Sequence, residues 1–231
     1  MDEALSDQQA VEGGMHRFLK THGFYAVAVS TAFCAVLFVG RVVVSGTRDY
    51  RFLVWNLFLA WLPYAFAVWA VSVRQKAPQA RRAAILPGIL WLLFLPNAPY
   101  IVTDFLHLLQ ERPFPILYDV ALIFAFAWTG LLLGLISIGM MQDLVRRSRG
   151  RIIGWAFVFG TAMLTGVGMY VGRVLRWNSW HVLTRPKRIV STLAEAMTNP
   201  FDHLTALGHV GVFAALVLLC HASVRALRRD Q

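Results

Sequence analysis

Six apolar runs, at roughly 23–45, 51–73, 84–109, 114–141, 151–175 and 204–226, constrain this chain more than any other feature. Each is near the ~20 residues an α-helix needs to cross the hydrocarbon of a bilayer. Hydrocarbon offers no partner to a bare N–H or C=O, so a spanning segment closes its own hydrogen bonds as a helix or joins a closed barrel. Runs this long are helices, because barrel strands are only about half that length. The expected fold class is therefore all-α, a polytopic membrane helical bundle of about six transmembrane helices.

Composition agrees. Of 231 residues, 58% are hydrophobic and 15% charged, with a mean hydropathy of +0.57, whereas soluble domains carry about 25% charged residues. The net charge of +10 would suit nucleic acid. However, the basic residues fall between apolar runs, where they read as topology signals and lipid-headgroup contacts, so no nucleic-acid role is expected. No repeat, low-complexity stretch or linker divides the chain. The expected organisation is a mobile cytoplasmic N-terminus over 1–22, a single transmembrane domain over 23–226 and a cytoplasmic tail over 227–231. The first apolar run is too long for a cleavable leader and lacks a clear small-residue cleavage site. Cys34 and Cys220 fall in different runs at different depths, so no disulfide is expected. Residues 188–197 have the pattern of a short amphipathic surface helix, or of an ordinary loop helix.

Lys and Arg set the orientation. The N-terminus, the 74–83 and 142–151 loops and the C-terminus hold 13 of the 22, and the alternate loops hold 9. This bias places both termini in the cytoplasm. The 173–188 segment is unusually basic for an outer loop, which suggests a further role for its arginines. Arg41, near the end of the first run, is expected to snorkel to the interface.

The third run, AAILPGILWLLFLPNAPYIVTDFLHL, is broken at Pro96-Asn97-Ala98-Pro99-Tyr100. Two prolines remove two N–H donors and bias the residues before them away from helix. Backbone freed at that depth must be covered by protein or line a wet cavity. An Asp in the same run is costly and marks a candidate site.

Placed by depth, the unusual polar residues gather in the extracytoplasmic half, and the inner half is plain by comparison. Asp104 and His107 are three apart and share a face, as suits a carboxylate-oriented histidine base or two metal ligands. The competing reading is a polar pair at the headgroup boundary. Asp119, His181, His203 and His209 could join a metal site, but the spacings match no standard zinc signature, and no metal is expected. Arg173 and Arg176 share a face, and each guanidinium can grip a phosphate or carboxylate through two contacts. They equally suit a salt-bridge network with Asp104 and Asp119. Trp177 and Trp180 fit interfacial anchors, and Asn56 fits helix–helix glue. Gly160, Gly166, Gly168 and Gly172 form a small-residue stripe for close packing.

The strings Trp91-Leu-Leu-Phe-Leu-Pro-Asn-Ala-Pro-Tyr-Ile-Val-Thr-Asp104 and Gly172-Arg-Val-Leu-Arg-Trp-Asn-Ser-Trp180 resemble the bacterial integral-membrane family called domain of unknown function 1361. The stretch from Asn56 to Pro63 and the pair Tyr118-Asp119 are similar to that family too. In the family an Asp often follows the second Trp. His181 stands there in this chain, so no carboxylate role carries over to that position. The resemblance implies fold and location rather than chemistry.

The leading functional expectation is a protein of the bacterial inner membrane with an outward-facing polar site for an anionic, lipid-linked ligand. If it is an enzyme, Asp104 or His107 would be the base. Arg173 and Arg176 would hold the anion. Asn56, Asn97, Tyr100, Asp119, Trp177, Asn178 and Trp180 would complete the binding site. The chain lacks a Gly-x-Ser-x-Gly elbow, a zincin motif and a P-loop, which weakens three common chemistries. The alternatives are a small transporter or channel component, built around the broken helix, and a structural or assembly subunit. Nothing in the residues names a cofactor or a protein partner; membrane lipids are the expected surroundings.

Overall fold

The computed structural model describes residues 22–77, 79, 81–109, 115–173 and 204–227. Residues 1–21, most of the N-terminus expected to be mobile, lie outside them. So do Arg176, Trp177, Asn178, Trp180, His181, His203 and the expected surface helix at 188–197.

The described chain is helical, with α1 at Phe24–Ser45, α2 at Arg51–Lys76, α3 at Ile85–Phe94, α4 at Asn97–Tyr100, α5 at Ile116–Arg149, α6 at Arg151–Arg173 and α7 at Leu204–Leu227. Short 3-10 segments at Arg81–Ala84 and Ile101–Leu109 begin and end the third span. Six segments are long and apolar enough to cross a membrane, one for each expected run. Glycines set two boundaries. Gly46 ends α1 at φ 67°, its N–H bonding Val42 O at 2.9 Å, and Gly150, at φ 89°, separates α5 from α6. A left-handed φ suits glycine because it has no Cβ to clash.

α5 is the central pillar. Of its spanning window 67% is buried, against 17% for α1 and for α7, so α1 and α7 are peripheral. α2 packs on α5 through a face that repeats every three or four residues: Leu53, Leu57, Ala60, Tyr64, Ala67 and Val71. Leu122, Ile123, Phe126 and Leu133 of α5 belong to the same buried core. Large apolar side chains also cover the outside, such as Val29, Val36 and Val43 of α1 and Phe124 of α5. That is correct for a lipid solvent, in which packing and interhelical hydrogen bonds hold helices together. Trp91 Nε1 donates to Ser137 Oγ at 3.1 Å and Trp61 Nε1 to Thr31 Oγ1 at 3.2 Å, tying α3 to α5 and α2 to α1.

The third span bends at the proline pair, but its backbone does not become extended. Leu95 (φ −54°, ψ −40°), Pro96 (−58°, −24°) and Ile101 (−58°, −25°) all stay right-handed helical. What changes is the hydrogen-bond register. Ala98 N–H reaches Leu95 O, three residues back, at 3.0 Å, and Tyr100 N–H reaches Pro96 O, four back, at 3.2 Å. Thereafter the segment continues as 3-10 helix. The bias of a pre-proline residue away from helix is overridden because the bend is packed tightly. Leu95, Ala98 and Ile101 are fully buried. A Cβ on Gly130 of α5 would lie 2.6 Å from Ala98 O, and one on Gly168 of α6 would meet the Pro96 ring. The glycine stripe thus has distinct duties: Gly168 admits Pro96, Gly166 admits the Val210 backbone of α7, and Gly160 faces open space.

Gly130→Ala is therefore expected to destabilise the bundle. The Ala98 carbonyl and Ile101 Cδ1, 2.8 Å from the added methyl, cannot both yield, and overpacking of this kind costs about 1–3 kcal/mol. That outweighs the gain of about 1 kcal/mol in helix propensity. Gly160→Ala adds a methyl in open space and should leave stability unchanged or slightly raised. Thermal unfolding of the two variants in detergent checks the contrast.

Candidate functional site

Three residues per turn in the 3-10 segment put side chains three apart directly above one another. Asp104 and His107 stack in this way. The His107 Nδ1 lies 3.1 Å from Asp104 O and 3.9 Å from Asp104 Oδ1. Two other elements complete the cluster. From α2, Phe52 and Asn56, one turn apart, face it. Asn56 Nδ2 donates to Asp104 Oδ2 at 2.8 Å, and the Phe52 ring sits 4.4 Å from the His107 ring. From the last residue of α6, Arg173 Nη1 donates to Asp104 Oδ1 at 3.4 Å and Nη2 to Thr103 O at 3.1 Å. The guanidinium also lies over the Tyr100 ring, 5.9 Å from its centroid.

Exposure divides the roles. The Asp104 side chain is 1% exposed, whereas those of His107 and Arg173 are 25% and 24% exposed. Both Asp104 oxygens have donors, as a buried carboxylate requires. A carbonyl oxygen can only accept, so the His107–Asp104 backbone bond places the proton on Nδ1 and the lone pair of the neutral ring on Nε2. Among the described residues, Asp104 and Thr103 engage two of the five N–H donors that a guanidinium carries. The arrangement is a half-exposed cation and a half-exposed imidazole held by a buried acid.

The same polar residues serve the bent backbone. Asn97 Nδ2 donates to Phe94 O at 2.9 Å, Thr103 Oγ1 to Tyr100 O at 2.7 Å, and Arg173 to Thr103 O. Asn97 thus turns toward the bend itself; no contact between it and the Asp104 cluster is seen among the described residues.

The single outer pocket expected from depth divides into two clusters. Asp119, expected as a counter-charge to Arg173 and Arg176, is paired elsewhere. Arg41 Nε donates to its Oδ1 at 2.7 Å, Arg41 Nη2 to Oδ2 at 3.5 Å and the Tyr50 hydroxyl to Oδ2 at 2.9 Å. Arg41 does not snorkel outward: it is 3% exposed and lies over the Tyr50 ring. The start of α5 faces the end of α1, so Asp119 meets Arg41 rather than α6. Depth alone could have matched Arg41 with Asp119, because both fall near the same end of the bundle. His209, the remaining described candidate ligand, bonds Thr205 O of its own helix.

The opposite end of the bundle is not plain. Gln142 Oε1 accepts from His221 Nε2 and from Arg225 Nε, both at 2.9 Å. Asp143 binds Arg225 at 2.5 Å and Arg146 at 3.4 Å. Gln142 and His221 are almost fully buried and lock α7 onto α5. The sequence signal was weaker here: His221 interrupts the sixth apolar run, but Gln142 falls just past the end of the fourth, and Arg225 counts equally well as a topology charge.

Among known proteins, the family described as "Protein of unknown function (DUF1361)" has a model that matches residues 55–220. The match takes in Asn56, Tyr100, Asp104, His107 and Arg173 and excludes α1, with Arg41. No curated protein and no solved structure matches the chain.

The Arg41–Asp119 pair is buried, with side chains 4% and 3% exposed. Removing one member of such a pair costs about 3–5 kcal/mol, because the other charge is left without its partner. Arg41→Met and Asp119→Leu are each expected to destabilise strongly. The double variant should recover much of the loss, and a double-mutant cycle of thermal unfolding measures the coupling.

Proposed function

We propose, for a chain that belongs to the family of proteins of unknown function DUF1361, that the Asn56–Asp104–His107–Arg173 cluster binds an anionic, lipid-linked ligand. That the chain is a multi-pass membrane protein follows from its six spans and its family; the ligand is our inference. The observation that carries it is the partial exposure of Arg173 and His107 around a buried, fully bonded Asp104. A guanidinium fixed in place, with donors to spare and an aromatic ring beneath it, suits a phosphate oxygen. Asp104 positions the cation, and Asn56 holds the carboxylate. His107 presents Nε2 as a proton acceptor beside the bound anion. Arg176, Trp177, Asn178 and Trp180, which follow Arg173 directly, would extend the site. Tyr100 lies beneath Arg173, and Asp119 belongs to the neighbouring cluster.

We place the site in the extracytoplasmic half of a bacterial inner membrane, with both termini in the cytoplasm, on the bias of Lys and Arg between the loops. A cysteine at Arg48, in the exposed α1–α2 loop, should react with a membrane-impermeant thiol reagent on intact spheroplasts. A cysteine at Arg149 should not. The opposite pattern inverts the topology.

Binding is tested with purified full-length protein in neutral detergent, offered a polyprenyl monophosphate or the uncharged polyprenol and read by native mass spectrometry. The phosphate should be retained and the alcohol not. Arg173→Gln should weaken retention about tenfold or more, since hydrogen bonds to a charged group contribute about 1.5–3 kcal/mol. His107→Gln should keep binding while losing any conversion of the headgroup seen on lipid extraction. Equal retention by native and Arg173→Gln protein would reduce the cluster to helix–helix glue.

A further inference from the structure

At the end of the bundle opposite the proposed site, the last turns of α2 and α5 enclose a cleft of about 200 Å³ lined by Val71, Arg74, Gln75, Leu144, Arg147 and Ser148. The two helices run parallel, so both C-termini reach this end together. α5 has 34 residues, about 51 Å at 1.5 Å per residue, and the hydrocarbon core is only about 30 Å thick. Its last turn carries Arg146, Arg147 and Arg149, charges that belong at headgroup level rather than in hydrocarbon, so the excess length is assigned to this end and the cleft to that level. Basic residues in a last turn are favoured by the helix dipole and by the loop-charge rule, so charge alone makes no site here. The cleft adds shape. Val71 is buried and Leu144 half-buried, which gives an apolar floor, while Arg74 and Arg147 bring guanidinium groups from two different helices to the rim. Asp143, the carboxylate at this end among the described residues, is held by Arg225 and Arg146 rather than by Arg147.

We propose that this cleft binds the phosphate of an anionic membrane lipid, with Arg74 and Arg147 gripping the phosphate and the glycerol backbone resting on Val71 and Leu144. An apolar floor below a cationic rim matches an amphipathic ligand better than a free ion. The inference does not depend on the Asp104 cluster, which lies at the other end.

The test uses full-length, delipidated protein in neutral detergent, titrated with dioleoylphosphatidylglycerol and followed by thermal unfolding and native mass spectrometry. The native chain should show saturable stabilisation and a retained lipid. Arg74→Gln with Arg147→Gln should weaken binding at least about fivefold. Lys76→Gln with Arg149→Gln, exposed cations outside the cleft, should leave it unchanged. Arg147→Gln alone changes an exposed residue, so it keeps the test valid should the Arg74 variant fail to fold; it should weaken binding measurably. Equal losses in the cleft and control variants would mean diffuse charge attraction and overturn the site. Saturation by glycerol 1-phosphate at the same concentrations would mean a site for soluble phosphate and overturn the lipid assignment.

Discussion

Two prolines three residues apart inside a membrane-spanning helix leave backbone carbonyls without their usual N–H donors, in a solvent that supplies none. Much of this bundle is arranged around that constraint. α5 and α6 offer Gly130 and Gly168 where the bend presses in. Four carbonyls along the bend are met from within the protein: Phe94 O by Asn97, Leu95 O by the Ala98 N–H, Tyr100 O by Thr103 and Thr103 O by Arg173. The change to 3-10 geometry then stacks Asp104 under His107. Structural repair and the candidate site share side chains. Arg173 both satisfies a carbonyl of the bent segment and holds the Asp104 carboxylate.

Charge burial is the second theme. Each deeply buried carboxylate in the described chain has a guanidinium and at least one neutral donor: Asp104 with Arg173 and Asn56, and Asp119 with Arg41 and Tyr50. The two clusters differ in exposure. Arg41 is sealed inside, so its pair reads as a clamp between α1 and α5. Arg173 and His107 remain half-open, which is why the proposed function is placed on their cluster. At the other end Gln142, Asp143, His221 and Arg225 fasten peripheral α7 to α5. These ionic and amide contacts suit a bundle in which apolar burial gives little preference for helix over lipid.

Much of the fold was legible in the sequence because it depends on one-dimensional quantities. Length and hydropathy identify spans, and the runs at 51–73 and 204–226 correspond to Arg51–Lys76 and Leu204–Leu227. The prolines mark the bend, and the i, i+3 spacing of Asp104 and His107 anticipates their stacking. Depth, too, follows from position along a helix at about 1.5 Å per residue, which draws Asn56, Asp104 and Arg173 to one end, where they meet.

What tertiary structure decided is rotation about each helix axis and the choice of neighbour. A sequence shows that Asp104, Asp119, Arg41 and Arg173 lie at similar depth, but not which carboxylate faces which arginine. Packing of α5 against α1 on one side and against the bent span on another assigns Arg41 to Asp119 and leaves Arg173 to Asp104. The same azimuthal choice buries Gln142 and His221 together and turns Asn97 back onto its own bend. Depth is a property of one chain segment; facing is a property of two, and only their packing sets it.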